Sequence, residues 1–233
     1  MNQSVKTAVI QTHSLSKHYG EGDTLVKALD QVSVAIQPGE FTAIVGPSGS
    51  GKSTLLQLMG GLDRPSTGDV LLDGKMVSGM TGTQLSNFRR DHIGFIFQAY
   101  NLIPVLSAAE NVEYIMLLQG VAETERCQRT EEILARVGLQ GREDRRPAQL
   151  SGGQQQRVAV ARAMVSHPSI ILADEPTANL DSQTGIDLLD MMKELNERQG
   201  MTFLFSTHDP KIMERAGRLI YLEDGRVVRD ETK

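Results

Sequence analysis

Cysteine is nearly missing from this chain: Cys127 is the single one in 233 residues. No second thiol is there to build a disulfide framework, and Cys127 sits in a polar stretch of helical character. A reducing compartment, the cytoplasm, is therefore the natural home. Long apolar runs are missing too. None approaches the roughly 18 residues of a membrane span, and the start, Met1-Asn2-Gln3-Ser4-Val5-Lys6, is too polar for a signal peptide. Membrane association is expected through a partner, without direct insertion. Nor is there an excess of positive charge. A net charge of −5 and a pI near 5.6 leave no electrostatic footprint for nucleic acid, which is disfavoured as a partner. The chain has no internal repeat and no low-complexity tract. With 39% hydrophobic residues this excludes an extensively disordered chain, and the length suits one large α/β domain or two lobes sharing a core.

What is present is organised around Gly46-Pro47-Ser48-Gly49-Ser50-Gly51-Lys52-Ser53, which fits the phosphate-loop pattern G-x-x-x-x-G-K-[ST] at every fixed position. The loop follows the apolar, β-rich run Phe41–Val45 and precedes Thr54–Met59, which reads as a helix. Glycines 46, 49 and 51 let backbone N–H groups approach phosphate oxygens, and the helix N-terminus adds partial positive charge. Lys52 is placed to reach the terminal phosphates as a point charge. The Ser53 hydroxyl is a hard oxygen suited to magnesium, and Thr54 offers a further phosphate contact.

Upstream, Val9–His13, Val26–Leu29 and Val32–Ile36 read as short strands joined by turns, an antiparallel sheet that feeds the phosphate loop. Tyr19 falls in a polar turn, Lys17-His18-Tyr19-Gly20, where an aromatic either covers the local core or offers a platform for a base. Downstream, Asp69–Leu72 reads as a strand, Asp73-Gly74 as a hairpin turn and His92–Phe97 as another strand ending at Gln98. From there to about 148 the texture turns helical, with apolar spacings of three and four over Ala108–Leu118 and Glu123–Val137.

At Leu150-Ser151-Gly152-Gly153-Gln154 a polar turn opens a helix with Ser151 as its N-cap. Its exposed N–H groups make either a second anion site or simply a capped helix. The apolar strand Ile170–Ala173 then closes on Asp174 and Glu175. A buried strand has no structural use for adjacent acids, whereas at its C-terminal edge they face the crevice where α/β sheets bind ligands. Alternation points the two in different directions. Asp174 can hold magnesium through water, and Glu175 can orient or deprotonate an attacking water. Asp187–Arg198 reads as a surface helix and Met201–Phe205 as a third core strand. His208, next to the Pro-started helix at 210, either caps that turn or touches a terminal phosphate. The closing hairpin, Arg218–Tyr221 and Arg226–Arg229 around Glu223-Asp224-Gly225, reads as structural.

Together these features resemble the ATP-binding-cassette ATPases over essentially the whole chain. The phosphate loop at 46–53, Gln98, the signature Leu150–Gln154, Asp174-Glu175, Asn179-Leu180-Asp181 and His208 stand in that family's order and spacing. The resemblance implies an α/β fold: a phosphate-loop NTPase core with an antiparallel β subdomain and an inserted helical subdomain. It would form a single nucleotide-binding domain over 5–233, the insert lying at about 99–150.

The resemblance further implies ATP and Mg2+ as cofactors and Tyr19 as a base-stacking residue. Two copies would enclose two ATP, each between one copy's phosphate loop and the other's Ser151, Gly152, Gly153 and Gln154. Gln98 would join Ser53 and Asp174 at the metal, and Gln98 and His208 would position the terminal phosphate for Glu175 and Lys52. The wording of 61–68, 95–104 and 110–113 is similar to the bacterial branch of lipoprotein release, macrolide export and cell division. That implies an integral-membrane permease subunit as partner, at the cytoplasmic face of the bacterial inner membrane. The alternative within the branch is an ATPase of a non-transporting cell-division signalling complex. Asn179 departs from the small residue more usual there.

Overall fold

The computed structural model describes residues 7–233; the stretch Met1–Lys6, with the expected domain start at residue 5, lies outside them. Two sheets organise the chain. In the antiparallel one, β1 (Ile10–Tyr19) pairs with β2 (Val26–Val32), β3 (Ala35–Ile36) and β5 (Thr67–Leu72), and β5 turns into β6 (Lys75–Met76). The turn between β5 and β6 is Asp73-Gly74, with φ of 48° and 72°, the left-handed pair a tight hairpin requires.

The second sheet has the order β11-β10-β4-β9-β8-β7. Its strands are β4 (Phe41–Val45), β7 (Ile93–Ile96), β8 (Ile170–Asp174), β9 (Phe203–Thr207), β10 (Arg218–Glu223) and β11 (Arg226–Thr232). All pairings are parallel except that of β11 on β10. Parallel strands covered on both faces read as continuous apolar runs, and β4 and β9 are buried at every position. Alternation divides β4 between two cores. Phe41, Ala43 and Val45 pack with helices on one face, and Ile44 packs on the other with Leu55, Leu58 and the antiparallel sheet.

The helices are α1 (Lys52–Met59), α2 (Gly82–His92), α3 (Ala108–Leu118), α4 (Glu123–Arg136), α5 (Gly152–Met164), α6 (Ser182–Gln199) and α7 (Pro210–Arg215). Buried Asn111 fixes the entry to α3: its carboxamide accepts from Ile103 N at 2.8 Å and donates to the carbonyls of Ile103, Leu106 and Ser107 at 3.1, 3.2 and 2.9 Å. Asp181 caps α6 by accepting from Gln183 N and Thr184 N, so that helix starts earlier than the apolar stripe from Asp187 suggests.

Three local expectations are corrected. Helix α2 has only Leu85 and Phe88 buried, too few to display a period. Its available signal was the capping box of Thr81 and Gln84. His92 accordingly ends a helix rather than opening a strand. Tyr19 lies at the end of β1, not in a turn, since the strand continues past irregular pairing near Ser14 (φ 45°). Val32–Ile36 is not one strand: Val34 N donates to the Thr12 hydroxyl at 3.0 Å, and the ladder resumes only at Ala35.

Candidate functional site

A cleft of about 820 Å³ opens at the C-terminal edge of the parallel sheet, lined among others by Pro47, Ser48, Gly49, Lys52, Ser53, Thr54, Gln98, Glu175 and His208. The phosphate loop forms its floor. Gly51 and Gly49 take φ of 101° and 80°, left-handed geometry that a side chain would strain. Gly46 is needed for another reason: a β-carbon there would stand 2.1 Å from the Leu222 carbonyl of β10. The Gly225 N–H also donates to the Ser50 carbonyl at 3.0 Å. The closing hairpin thus braces the loop from below, and Asp224 and Gly225 line the cleft, a part its sequence did not announce. Gly46 and buried Ser50 are not among the lining residues.

Lys52 is 7% exposed, and its Nζ donates to the carbonyls of Gly46 and Pro47 at 2.8 Å each. This holds the ammonium over the loop with one N–H to spare. The Ser53 hydroxyl donates to Asp174 Oδ1 at 3.0 Å. These are two hard oxygen ligands side by side; Ser53 lines the cleft with Gln98, and Asp174, not itself a lining residue, adjoins Ser53, a set that fits a magnesium ion completed by phosphate oxygens and water.

Glu175 points the other way, with its side chain 14% exposed. Its Oε1 lies 2.6 Å from His208 Nδ1, and its Oε2 accepts from the Thr207 hydroxyl at 3.2 Å. A carboxylate only accepts, so Nδ1 carries the proton. The backbone of Glu175 is left-handed, φ 45°, and is held by its N–H on the Ser206 carbonyl at 2.9 Å. Just beyond, buried Gln156 of α5 donates to the Pro176 carbonyl at 2.8 Å. Capping of α7 falls to Asp209, which accepts from Lys211 N, and His208 is left to Glu175.

Two groups of predicted residues stand elsewhere. Tyr19 does not line the cleft; its hydroxyl donates to Asp63 Oδ2 at 3.0 Å, and the Lys17 ammonium stands 4.9 Å from its ring centre. Burial, then the Asp63 carboxylate, pushes the phenol up. Ser151, Gly152, Gly153 and Gln154 are likewise outside it. Ser151 and Gln154 cap each other reciprocally, at 3.0 and 3.3 Å. The glycines admit neighbours: a β-carbon on Gly153 would meet Thr184 Cγ2 at 2.4 Å, and one on Gly152 the Tyr100 hydroxyl at 2.9 Å.

Comparison with known proteins agrees with this geometry. Residues 29–178 match the family model described as ABC transporter. The macrolide export ATP-binding/permease protein MacB of Hyphomonas neptunium is 49% identical over 222 residues, 95% of this chain and 34% of that protein. MacB of Escherichia coli is 47% identical over the same shares. The chain therefore spans about a third of the length of these relatives. Among solved structures, a post-hydrolysis dimer of the ATP-binding cassette MJ0796 with ADP and Pi superposes with a TM-score of 0.88 at 44% identity, covering 96% of this chain and 98% of that one. CbiO1 of Clostridium perfringens, part of the transporter complex cbiONQ, gives 0.86 at 30% identity, with 97% and 89% covered. Site geometry, family model and whole-chain superposition converge: the chain belongs to the ABC transporter family.

Proposed function

We propose that this chain binds and hydrolyses ATP as a subunit of a bacterial ABC transporter, pairing with a second copy around two ATP and driving a separate integral-membrane permease subunit. One observation carries the reading. The phosphate loop and the catalytic acid share a cleft, while the capped N-terminus of α5 at Ser151–Gln154 lies outside it. A nucleotide that needs both must be shared between chains.

Residues 5–233 then act as one nucleotide-binding domain, with the helical part at about 99–150. Lys52 and the N–H groups of 46–54 hold the phosphates, Tyr19 supports the base, and the partner copy brings its own Ser151, Gly152, Gly153 and Gln154. Ser53, Asp174 and Gln98 hold Mg2+, which when bound neutralises charge on the phosphate oxygens. Glu175 takes the proton of the attacking water, oriented by His208 and Thr207. The relatives' printed names, macrolide export proteins, support export of a macrolide-like cargo; a lipoprotein cargo and a place at the cytoplasmic face of the inner membrane rest on the branch resemblance of residues 61–68, 95–104 and 110–113. Among the described residues no helix is long and apolar enough to cross a membrane.

Phosphate release from ATP and magnesium tests the reading. The native chain should turn over, and Glu175→Gln should lower the rate by roughly 10²–10⁴ with ATP binding retained. Equal rates in the two proteins would remove Glu175 from its role.

A further inference from the structure

Beyond Gln98 the backbone does something costly. Tyr100 and Asn101 take φ of 59° and 50° in succession. Asparagine tolerates the left-handed region, but an aromatic side chain is strained there, so the pair persists only where its surroundings impose it.

Two side chains outside the loop supply the constraint. From α5, Arg162 Nη1 donates to the Asn101 carbonyl at 2.6 Å and Nη2 to the Tyr100 carbonyl at 2.9 Å. A planar fork suits two neighbouring acceptors in a way a lysine cannot reproduce. Burial alone pushes this guanidinium below its usual range, and its hydrogen bonds go to carbonyls rather than to a carboxylate. From the turn after Glu175, Asn179 Nδ2 donates to the Gln98 carbonyl at 2.9 Å, while the Asn179 carbonyl accepts from the Tyr100 hydroxyl at 3.4 Å. Gly152 leaves room for that hydroxyl. The loop is gripped by the helix that Ser151–Gln154 opens and by the turn that the catalytic acid leads into.

We propose that Arg162 and Asn179 are positioning residues for hydrolysis, clamping the backbone of 98–101 from two sides and so fixing where the Gln98 carboxamide stands in the cleft. This rests on the ATPase reading above. Neither side chain lines the cleft; both act through the loop. The Asn179 carboxamide supplies a donor that an aliphatic side chain lacks.

Arg162→Lys and Asn179→Ala in the full chain test the clamp. Each should lower kcat about tenfold or more, because small misplacements of a catalytic group cost that much, while KM for ATP stays within about twofold. The double variant should lose no more than the worse single one, since either change releases the same loop. Asn179 is exposed, so its alanine variant should keep the native melting temperature; if Arg162→Lys does not fold, Asn179→Ala decides alone. Hydrogen exchange at the 99–101 amides without nucleotide should accelerate about tenfold in the variants. Near-native kcat with unchanged exchange in folded Asn179→Ala overturns the proposal. If the native chain releases no phosphate, the ATPase reading fails, and the exchange rates still decide whether the clamp exists.

Discussion

At the scale of single residues, adjacent acids were the most legible chemistry. Asp174 ends a strand that is otherwise apolar and buried and Glu175 follows it; the first accepts from Ser53 and the second lies against His208. The left-handed backbone of Glu175 was not legible, because nothing local to a glutamate before proline asks for it; its N–H is held by the Ser206 carbonyl of a neighbouring strand, remote in sequence.

Tyr19 gives a residue-scale prediction. Tyr19→Ala should weaken ATP binding by about 1–3 kcal/mol if a base stacks there, measured by titration calorimetry. Tyr19→Phe keeps the ring and loses only the bond to Asp63, so its effect should be mild; equal losses would implicate the hydroxyl instead. Asp63 itself sets a pH dependence. Burial pushes its carboxyl up, but bonds from Lys17, the Arg64 N–H and Tyr19 outweigh that and hold it below the usual carboxylate range. A depressed folded-state pKa stabilises above the unfolded value, near 3.9, and the stabilisation is lost as pH falls through the lower folded one. Asp63→Asn should therefore lower the melting temperature at pH 7 and make progressively less difference below about pH 4. A difference that grows in acid would contradict this.

At the scale of elements, long periodic helices and the apolar strands were readable, while elements defined by partners distant in sequence were not. Helix α3 and most of α4 lie where their apolar spacing puts them. The closing hairpin looked self-contained because its two strands pair with each other, yet β10 also pairs parallel with β4 and abuts the phosphate loop. Parallel pairing of remote segments leaves no local signal. Gly46→Ala tests that abutment. Its β-carbon would collide with the Leu222 carbonyl, which is backbone and cannot swing aside. Overpacking of this kind costs about 1–3 kcal/mol, to be read as a lowered unfolding free energy with weaker ATP binding. Unchanged stability would mean that the hairpin does not brace the loop.

At the scale of the whole molecule, the helical part exposes Val105, Tyr114, Leu117 and Leu118 at 69, 43, 52 and 50%, and we propose this face as the docking surface for the permease proposed above. Within the segment 100–106, Leu102 packs against the core, and a charge there would disturb folding as well. Val105→Glu is the cleaner change. It should weaken permease association and permease-stimulated hydrolysis while sparing ATP binding by the isolated chain; full association would move the surface elsewhere.

The central claim is that two copies share each nucleotide, since the cleft of one chain lacks its own Ser151–Gln154. Light scattering of Glu175→Gln with ATP and magnesium tests it most directly. The account predicts a species of twice the 25.5 kDa chain mass that appears with ATP and disappears when Ser151 is replaced by arginine. Saturating ATP binding with the mass still that of one chain would contradict it.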